Sequence, residues 1–356
     1  MEDGTTFEGK SFGVSQDAVG QVVLNTAVVG YQEMLTDPAN SGKILCLTYP
    51  LIGNYGVNEK FNESKQTWVN GLVIKEDSRM YSNWQAKESL GEFLQKQKVV
   101  AISGVDTRTL AVKIRNDGEM YGIISSNGLN AKELLKKLVE FKNKKKESIL
   151  EKISVKEITK FKGKKQRIVV IDLGILKSIL KQLSDLGLKV ILVPYDTDAK
   201  EILKLKPNGI IIPNGPEDDA GLIKVIATTK QILCKIPLLG ISTGHQVIAQ
   251  ATGAKINKMK TGHHGVNYPV KSPSSAKGEI TVQNHSFIVD EGSLNHKDIQ
   301  IIERNLNDKS IEKLRSKKLK FISIQYYPSS PGLGQINPVF GEFMEMIRKK
   351  PVTRNQ

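Results

Sequence analysis

Two textures of apolar patterning divide the chain. Before about residue 125, short apolar runs alternate with turn residues: GQVVLNTAVVGYQ, KILCLTYPLIGNYG, NGLVIKED and KVVAISGVDTRTLAVKIRNDGEMYGIIS. Runs of this length, bounded by Gly, Pro, Asn and Asp, predict strands with occasional helices such as WQAKESLGEFLQKQ. From Arg167 the rhythm becomes strand, helix, strand: RIVVIDLG, ILKSILKQLSDLG, KVILVPYD, AKEILKLK, GIIIPNGP, AGLIKVIATTKQIL and IPLLGIS. Nearly continuous apolar strands alternating with helices predict a parallel sheet covered on both faces. The expected fold class is α/β, a mixed α/β first domain followed by one with a largely parallel, helix-covered sheet.

A length of 356 residues suits two such domains. No run of 18 or more apolar residues occurs, and the start Met-Glu-Asp-Gly-Thr lacks the basic-then-apolar order of a secretory signal, so a cytoplasmic location is expected. Cys46 and Cys234 sit in separate apolar runs and are expected as small buried hydrophobes, with no disulfide framework, zinc site or other metal. The net charge of +15 is concentrated: residues 131 to 166 hold 13 Lys and 5 Glu, a net +8. That segment has no aromatic stacking array and no nucleic-acid-binding spacing, so a solvated linker is expected and no specific nucleic-acid or membrane partner. The domain boundaries follow as 1–128, a lysine-rich linker 129–165, and 166–350.

The chemistry concentrates at Gly240-Ile241-Ser242-Thr243-Gly244-His245-Gln246, between the apolar strand IPLL and the helical run VIAQATG. A nucleophile flanked by small residues on a strand-to-helix turn is an elbow, where glycine permits tight backbone and the helix start favours developing negative charge. Read literally, Gly-Ile-Ser-Thr-Gly matches a serine hydrolase. By itself the match is equally that of a glycine-flanked helix cap.

The flanking motifs decide between them. Gly240 to Gln246 resembles the G-I-C-L-G-H-Q elbow of class I glutamine amidotransferases. It is followed by Lys258-Met259-Lys260-Thr261-Gly262-His263-His264-Gly265 and Gln283-Asn284-His285-Ser286-Phe287. Asn214-Gly215-Pro216 resembles the family's N-G-P-G turn, and Gln325-Tyr326-Tyr327-Pro328 stands where its Q-x-H-P-E would be. In the first half, Glu2-Asp3-Gly4-Thr5, Gly30-Tyr31-Gln32-Glu33, Leu35-Thr36-Asp37-Pro38, Thr48-Tyr49-Pro50, Ile52-Gly53-Asn54 and Val105-Asp106-Thr107-Arg108 resemble the domain peculiar to carbamoyl phosphate synthetase small subunits. The resemblance runs from about residue 2 to about 347. Relative to that pattern the chain begins a few residues late, so part of the first strand is expected to be missing.

The resemblance implies a subunit that releases ammonia from glutamine for a large subunit, which makes carbamoyl phosphate from bicarbonate with ATP and Mg for arginine or pyrimidine synthesis. The small chain itself needs no cofactor. Hydrolysis requires a thiolate nucleophile, a histidine base, a carboxylate to orient it, and oxyanion donors. By resemblance those three side chains fall at Ser242, Tyr327 and Ser329, all changed. A hydroxyl is not ionised near neutrality, and a phenol of pKa about 10 does not replace imidazole. Ser329 carries no charge, and the next acid is Glu342. The family's glutamine-binding positions fall at Ala39, Gly215, Glu217, Thr243, Gln246, Asn284, Ser286 and Phe287. Ala39, Glu217 and Ser286 replace a serine and two glycines, and an acid at 217 beside the former oxyanion hole would oppose negative charge there. The histidines are His245, His263, His264, His285 and His296, none of them at the family's catalytic place; the first four are expected in the framework.

These losses point to a structural partner of the large subunit that neither binds nor hydrolyses glutamine. A glutaminase using substituted chemistry, a regulatory protein that kept the fold, and, last, a serine esterase built on Ser242 remain as alternatives. The resemblance also implies that residues 1 to about 125 carry the large-subunit contact, through surface loops such as Tyr31-Gln32-Glu33 and Asn54-Tyr55-Gly56.

Overall fold

The alternation of apolar side chains on successive strands explains how each sheet is covered on both faces. A computed structural model describes residues 1–144, 147–294 and 297–348. The chain divides into two units, Met1–Glu147 with Met259–Val266, and Ser148–Lys258 with Asn267–Gln356.

In the first unit a six-stranded sheet runs in the order Lys10–Ser11, Val100–Ser103, Gly71–Val73, Lys43–Leu47, Ala18–Asn25, Tyr121–Ile124. Its four inner strands are parallel, and the two outer ones pair antiparallel. Odd and even positions part cleanly, because successive strand side chains point to opposite faces. Val23, Leu45 and Leu72 pack with Tyr31, Leu35, Leu90 and Phe93, while Val22, Ile44 and Val73 pack with Val105, Leu110 and Ile114. The helix expected within WQAKESLGEFLQKQ occupies only Leu90–Lys96, because Ser89 and Glu92 form a capping box at its start.

The second unit is built on five parallel strands in the order Lys189–Val193, Arg167–Ile171, Gly209–Ile212, Leu238–Ile241, Phe321–Ile324. Thr159–Lys160 closes one edge antiparallel, and Ile311–Ser316, Gln300–Asn305, the parts of strand Ile256–Lys271 outside Met259–Val266, and Gly278–Val289 extend the other. One face buries Val169, Ile171, Ile210 and Ile212 against Val225, Val247 and Ile248; the other buries Ile168, Val170, Ile211 and Leu239 against Ile179, Leu183, Phe340 and Phe343. The α/β class and the parallel sheet read from the apolar runs are therefore present. No helix among the described residues is long and apolar enough to cross a membrane.

Three expectations are corrected. The lysine-rich stretch is not simply a solvated linker. Ala131–Asn143 is a helix started by an Asn130–Glu133 capping box, with Leu138 buried and Lys137 and Lys142 paired to Asp17 and Glu2. Its leucines supply an apolar stripe that the count of charges concealed. Farther on, the Asp219 carboxylate accepts from Ser148 Oγ and the Ile149 N–H, each at 2.6 Å, and Thr159–Lys160 joins the sheet. Cys46 is buried, but Cys234 is exposed, at φ 65° in the turn after the helix Leu222–Ile232. The proposed contact loop around Tyr31 is mostly interior: Tyr31 and Gln32 are 1% exposed, and Tyr31 stacks on Tyr55 at 4.2 Å and donates to Gly56 O.

Within the first unit, Glu119 joins three segments. Its carboxylate accepts from Gln21 Nε2 and the Gly262 N–H, both at 2.7 Å, and meets His264 Nε2 at 3.2 Å. Burial raises this carboxyl's pKa, but the His264 and Gly262 hydrogen bonds outweigh burial and hold it at about 2 instead of the ordinary 4.5. Because the folded value is depressed, the stabilisation is complete above about 4.5 and is lost as pH falls toward 2. Glu119→Gln should therefore lower unfolding stability in urea by roughly 2–3 kcal/mol at pH 7. The gap from the unmodified chain should narrow as the titration is carried down through that window.

Candidate functional site

The elbow is a backbone constraint before it is a chemical one. Strand Leu238–Ile241 ends at Ser242, whose φ of 53° and ψ of −110° turn the chain sharply into the helix Thr243–Ala251. For a residue with a Cβ that conformation is strained, at a cost on the order of 1–3 kcal/mol. The neighbours enforce it. Ser242 N donates to Ile324 O at 2.8 Å, and Gly244 N donates to Pro213 O at 3.1 Å. A Cβ on Gly244 would lie 1.8 Å from Ile212 O, and one on Gly240 would lie 2.6 Å from Gly244 O. Only glycine at both places lets helix and strand approach this closely.

The expected positions around this turn can now be placed. Ser242 is fully buried, and its Oγ has no hydrogen-bond partner among the described residues. Tyr327, on the last parallel strand's continuation, is 8% exposed; its hydroxyl accepts from Asn284 Nδ2 at 3.3 Å. Ser329 faces solvent, and its carbonyl accepts from Asn337 Nδ2. Glu342, the first acid beyond it, is bound to Lys313 Nζ at 2.7 Å. No base among the described residues therefore touches the Ser242 hydroxyl.

The remaining positions form a connected polar cluster. Thr243 Oγ1 donates to Gly215 O at 2.6 Å, and Gly215 is pressed against Leu173, whose carbonyl oxygen a Cβ would meet at 2.3 Å. Gln246, one turn into the helix, donates through Nε2 to Glu217 Oε1 at 2.6 Å and to Phe287 O at 3.1 Å. The other Glu217 oxygen accepts from the Ser286 N–H at 2.7 Å. Glu217 thus does not stand as a bare charge opposing an oxyanion, as expected from its substitution for glycine; two donors hold it. Ala39 lies in the first unit, 1% exposed in the short turn Pro38–Asn40, with its N–H capped by Asp37.

Among the described residues no histidine contributes a base that reaches the Ser242 hydroxyl. His245 is fully buried, with Nδ1 2.9 Å from Ser323 Oγ, and burial lowers its pKa to about 3, so its ring is neutral. The His285 nitrogens face Phe287 O at 3.1 Å and Gln283 Oε1 at 2.9 Å. His263 and His264 are buried, and His296 lies outside the described residues. Of two further contributors, Gln325 was read only as part of its motif and Gln182 was missed. Gln325 Oε1 faces Gln246 Nε2 at 3.5 Å. Gln182 clamps the segment between Pro328 and Asn337, donating to Pro328 O and accepting from the Asn337 N–H, each at 2.8 Å. Its only trace in the sequence is a polar residue on the apolar side of KSILKQLSD.

Comparison with known proteins gives the family. Residues 1–124 match the family model "Carbamoyl-phosphate synthase small chain, CPSase domain", and residues 169–346 match "Glutamine amidotransferase class-I". The "Carbamoyl phosphate synthase small chain" of Aquifex aeolicus is 40% identical over 363 residues, 98% of each chain. The chain belongs to the carbamoyl phosphate synthase small chain family. The "Carbamoyl phosphate synthase pyrimidine-specific small chain" of Bacillus subtilis is 40% identical, covering 98% of this chain and 94% of the relative. The small chain of Archaeoglobus fulgidus is also 40% identical, over 98% of each.

This small chain's elbow rests on the Gly244 contact, which generates a prediction. Gly244→Ala should destabilise the protein by about 4 kcal/mol or more, because the intruded atom is backbone and cannot swing aside. Gly341→Ala, in the helix Pro338–Arg348 with nothing within 4 Å, should be neutral or stabilising by about 1 kcal/mol. Thermal unfolding of the two variants checks the contrast.

Proposed function

We propose that this chain is a cytoplasmic small-chain partner of a carbamoyl phosphate synthase large chain and that it does not hydrolyse glutamine. The observation that carries the reading is the state of the elbow. The bend that presents a nucleophile is intact, yet it presents a buried serine hydroxyl with no partner among the described residues, while the Tyr327 phenol is bound to Asn284. In a comparable hydrolase, loss of nucleophile or base costs roughly 10⁶-fold in turnover, and further losses add little because the members act as a unit. Carbamoyl phosphate would then be made with free ammonia as nitrogen donor, the large chain supplying the ATP and Mg chemistry.

The first unit supplies a surface for such a partner. Met80 and Trp84 are 86% and 89% exposed, and the loop that carries them joins that of Asn54 through the Ser82 N–H. Exposed large apolar side chains grouped on one loop favour association. The stack of buried Tyr31 on half-buried Tyr55 would act as the support of that surface instead of its contact.

Reconstitution with the cognate large chain tests both parts. Ammonium should support carbamoyl phosphate formation, and glutamine should not; the unmodified chain should release no detectable glutamate. Ser242→Cys should release little or none, since no base among the described residues accepts the thiol proton. Glutamate release by the unmodified chain, abolished in Ser242→Ala, would refute the loss of hydrolysis. Trp84→Ala should weaken large-chain binding about tenfold or more in titration calorimetry, as truncation of a buried interface tryptophan does.

A further inference from the structure

The loss of hydrolysis does not by itself explain where Glu217 points. The residue lies between strand Gly209–Ile212 and helix Leu222–Ile232, and its carboxylate reaches donors on two other elements. Gln246 Nε2, on the elbow helix, is 2.6 Å from Oε1, and the Ser286 N–H, on strand Gly278–Val289, is 2.7 Å from Oε2. Hydrogen bonds of this length to an ionised carboxylate are roughly twice as strong as neutral ones. The loop's course leaves the side chain little choice. Gly215 is pressed onto Leu173 and tied to Thr243 Oγ1, and two residues beyond Glu217 the Asp219 carboxylate binds Ser148 Oγ and the Gly221 N–H.

A backbone N–H and a carboxamide N–H converging beside a strand-to-helix turn form a recognition pair for a small carboxylate. We propose that Glu217 is a tethered occupant of this pocket: its carboxylate takes the two donors, Gln246 Nε2 and the Ser286 N–H, that a free carboxylate ligand would need, so the pocket is closed from within. A free ligand competes with a side chain whose effective concentration, as for any short tether, is millimolar or above. The inference rests on the reading that the chain does not hydrolyse glutamine, since an occupied pocket admits no substrate. It adds that the pocket still recognises carboxylate and becomes available once the tether is cut.

The test uses the full chain, with Glu217→Gly to empty the pocket and Glu217→Gln to keep its volume while removing the charge. Hydrogen exchange of the peptide containing Ser286 is followed with sodium acetate, with acetamide, and with sodium chloride at matched ionic strength. In Glu217→Gly the Ser286 amide should exchange about tenfold faster or more, the consequence of losing one charge-assisted hydrogen bond. Acetate at tens of millimolar should restore protection and raise the melting temperature, whereas acetamide and chloride should not; the unmodified protein should ignore all three. Glu217→Gln keeps an acceptor for the Ser286 N–H but loses the charge that strengthens the bond, so its exchange should quicken less than in Glu217→Gly, with no acetate response, because its side chain still fills the space. Unchanged Ser286 exchange in both variants, or a folded Glu217→Gly chain indifferent to acetate, overturns the proposal. Should Glu217→Gly fail to fold, Glu217→Gln decides: unchanged exchange and melting temperature reject the tether. A glutaminase assay on the unmodified chain, run in parallel, separates the two ideas, since glutamate release there refutes the loss of hydrolysis whatever the exchange data show.

Discussion

The approach of helix Thr243–Ala251 to strand Gly209–Ile212 at Gly244 is the constraint on which the second unit's site depends. Side-chain-free backbone at Gly240 and Gly244 lets the helix sit directly on the strand ends, and only then can the Ser242 N–H reach Ile324 O and fix the bend. The bend in turn sets the first helical turn, which delivers Thr243 to Gly215 and Gln246 to Glu217. A geometry fixed by backbone contacts does not depend on what the nucleophile is. Such a turn holds its shape whichever side chain it carries, because removing it would unpack the core strands around it.

The buried polar groups around the turn are satisfied unequally. Ser242 Oγ, His245 Nε2 and Gln325 Nε2 remain buried without a partner among the described residues, and each such atom costs on the order of 1–3 kcal/mol. Gln246 and the Ser286 N–H, by contrast, are satisfied by Glu217. The acid that replaced glycine therefore offsets part of the desolvation cost around the turn. Buried polar networks either complete themselves or weaken the fold, and this one is complete on its Glu217 side only.

Much of this was legible in the chain. The parallel sheet follows from runs such as RIVVI, KVILV and GIII, where continuous apolar character requires cover on both faces, and the elbow follows from glycines flanking Ser242. The helix Ala131–Asn143 was not seen because net charge was weighed above the spacing of Leu134, Leu135, Leu138 and Phe141, which one apolar stripe explains. Nor could the direction of Glu217 be read: substitution for glycine announces bulk and charge, but the donors it meets lie about 30 and 70 positions away and are brought together only by the fold. Gln182 and Asp219 escaped for the same reason, since a side chain that binds distant backbone leaves no local periodicity.

The two cysteines differ enough to matter in practice. Burial pushes the Cys46 thiol up to about 12, which leaves it unreactive, whereas Cys234 is open to solvent. Cys234 precedes strand Leu238–Ile241, while Ser242 follows it, so the exposed residue belongs to the end of the parallel strands opposite the elbow. The native chain consequently carries its own single-point attachment handle, suited to a maleimide dye or a spin label, at the end of its sheet where a bulky adduct leaves the turn undisturbed.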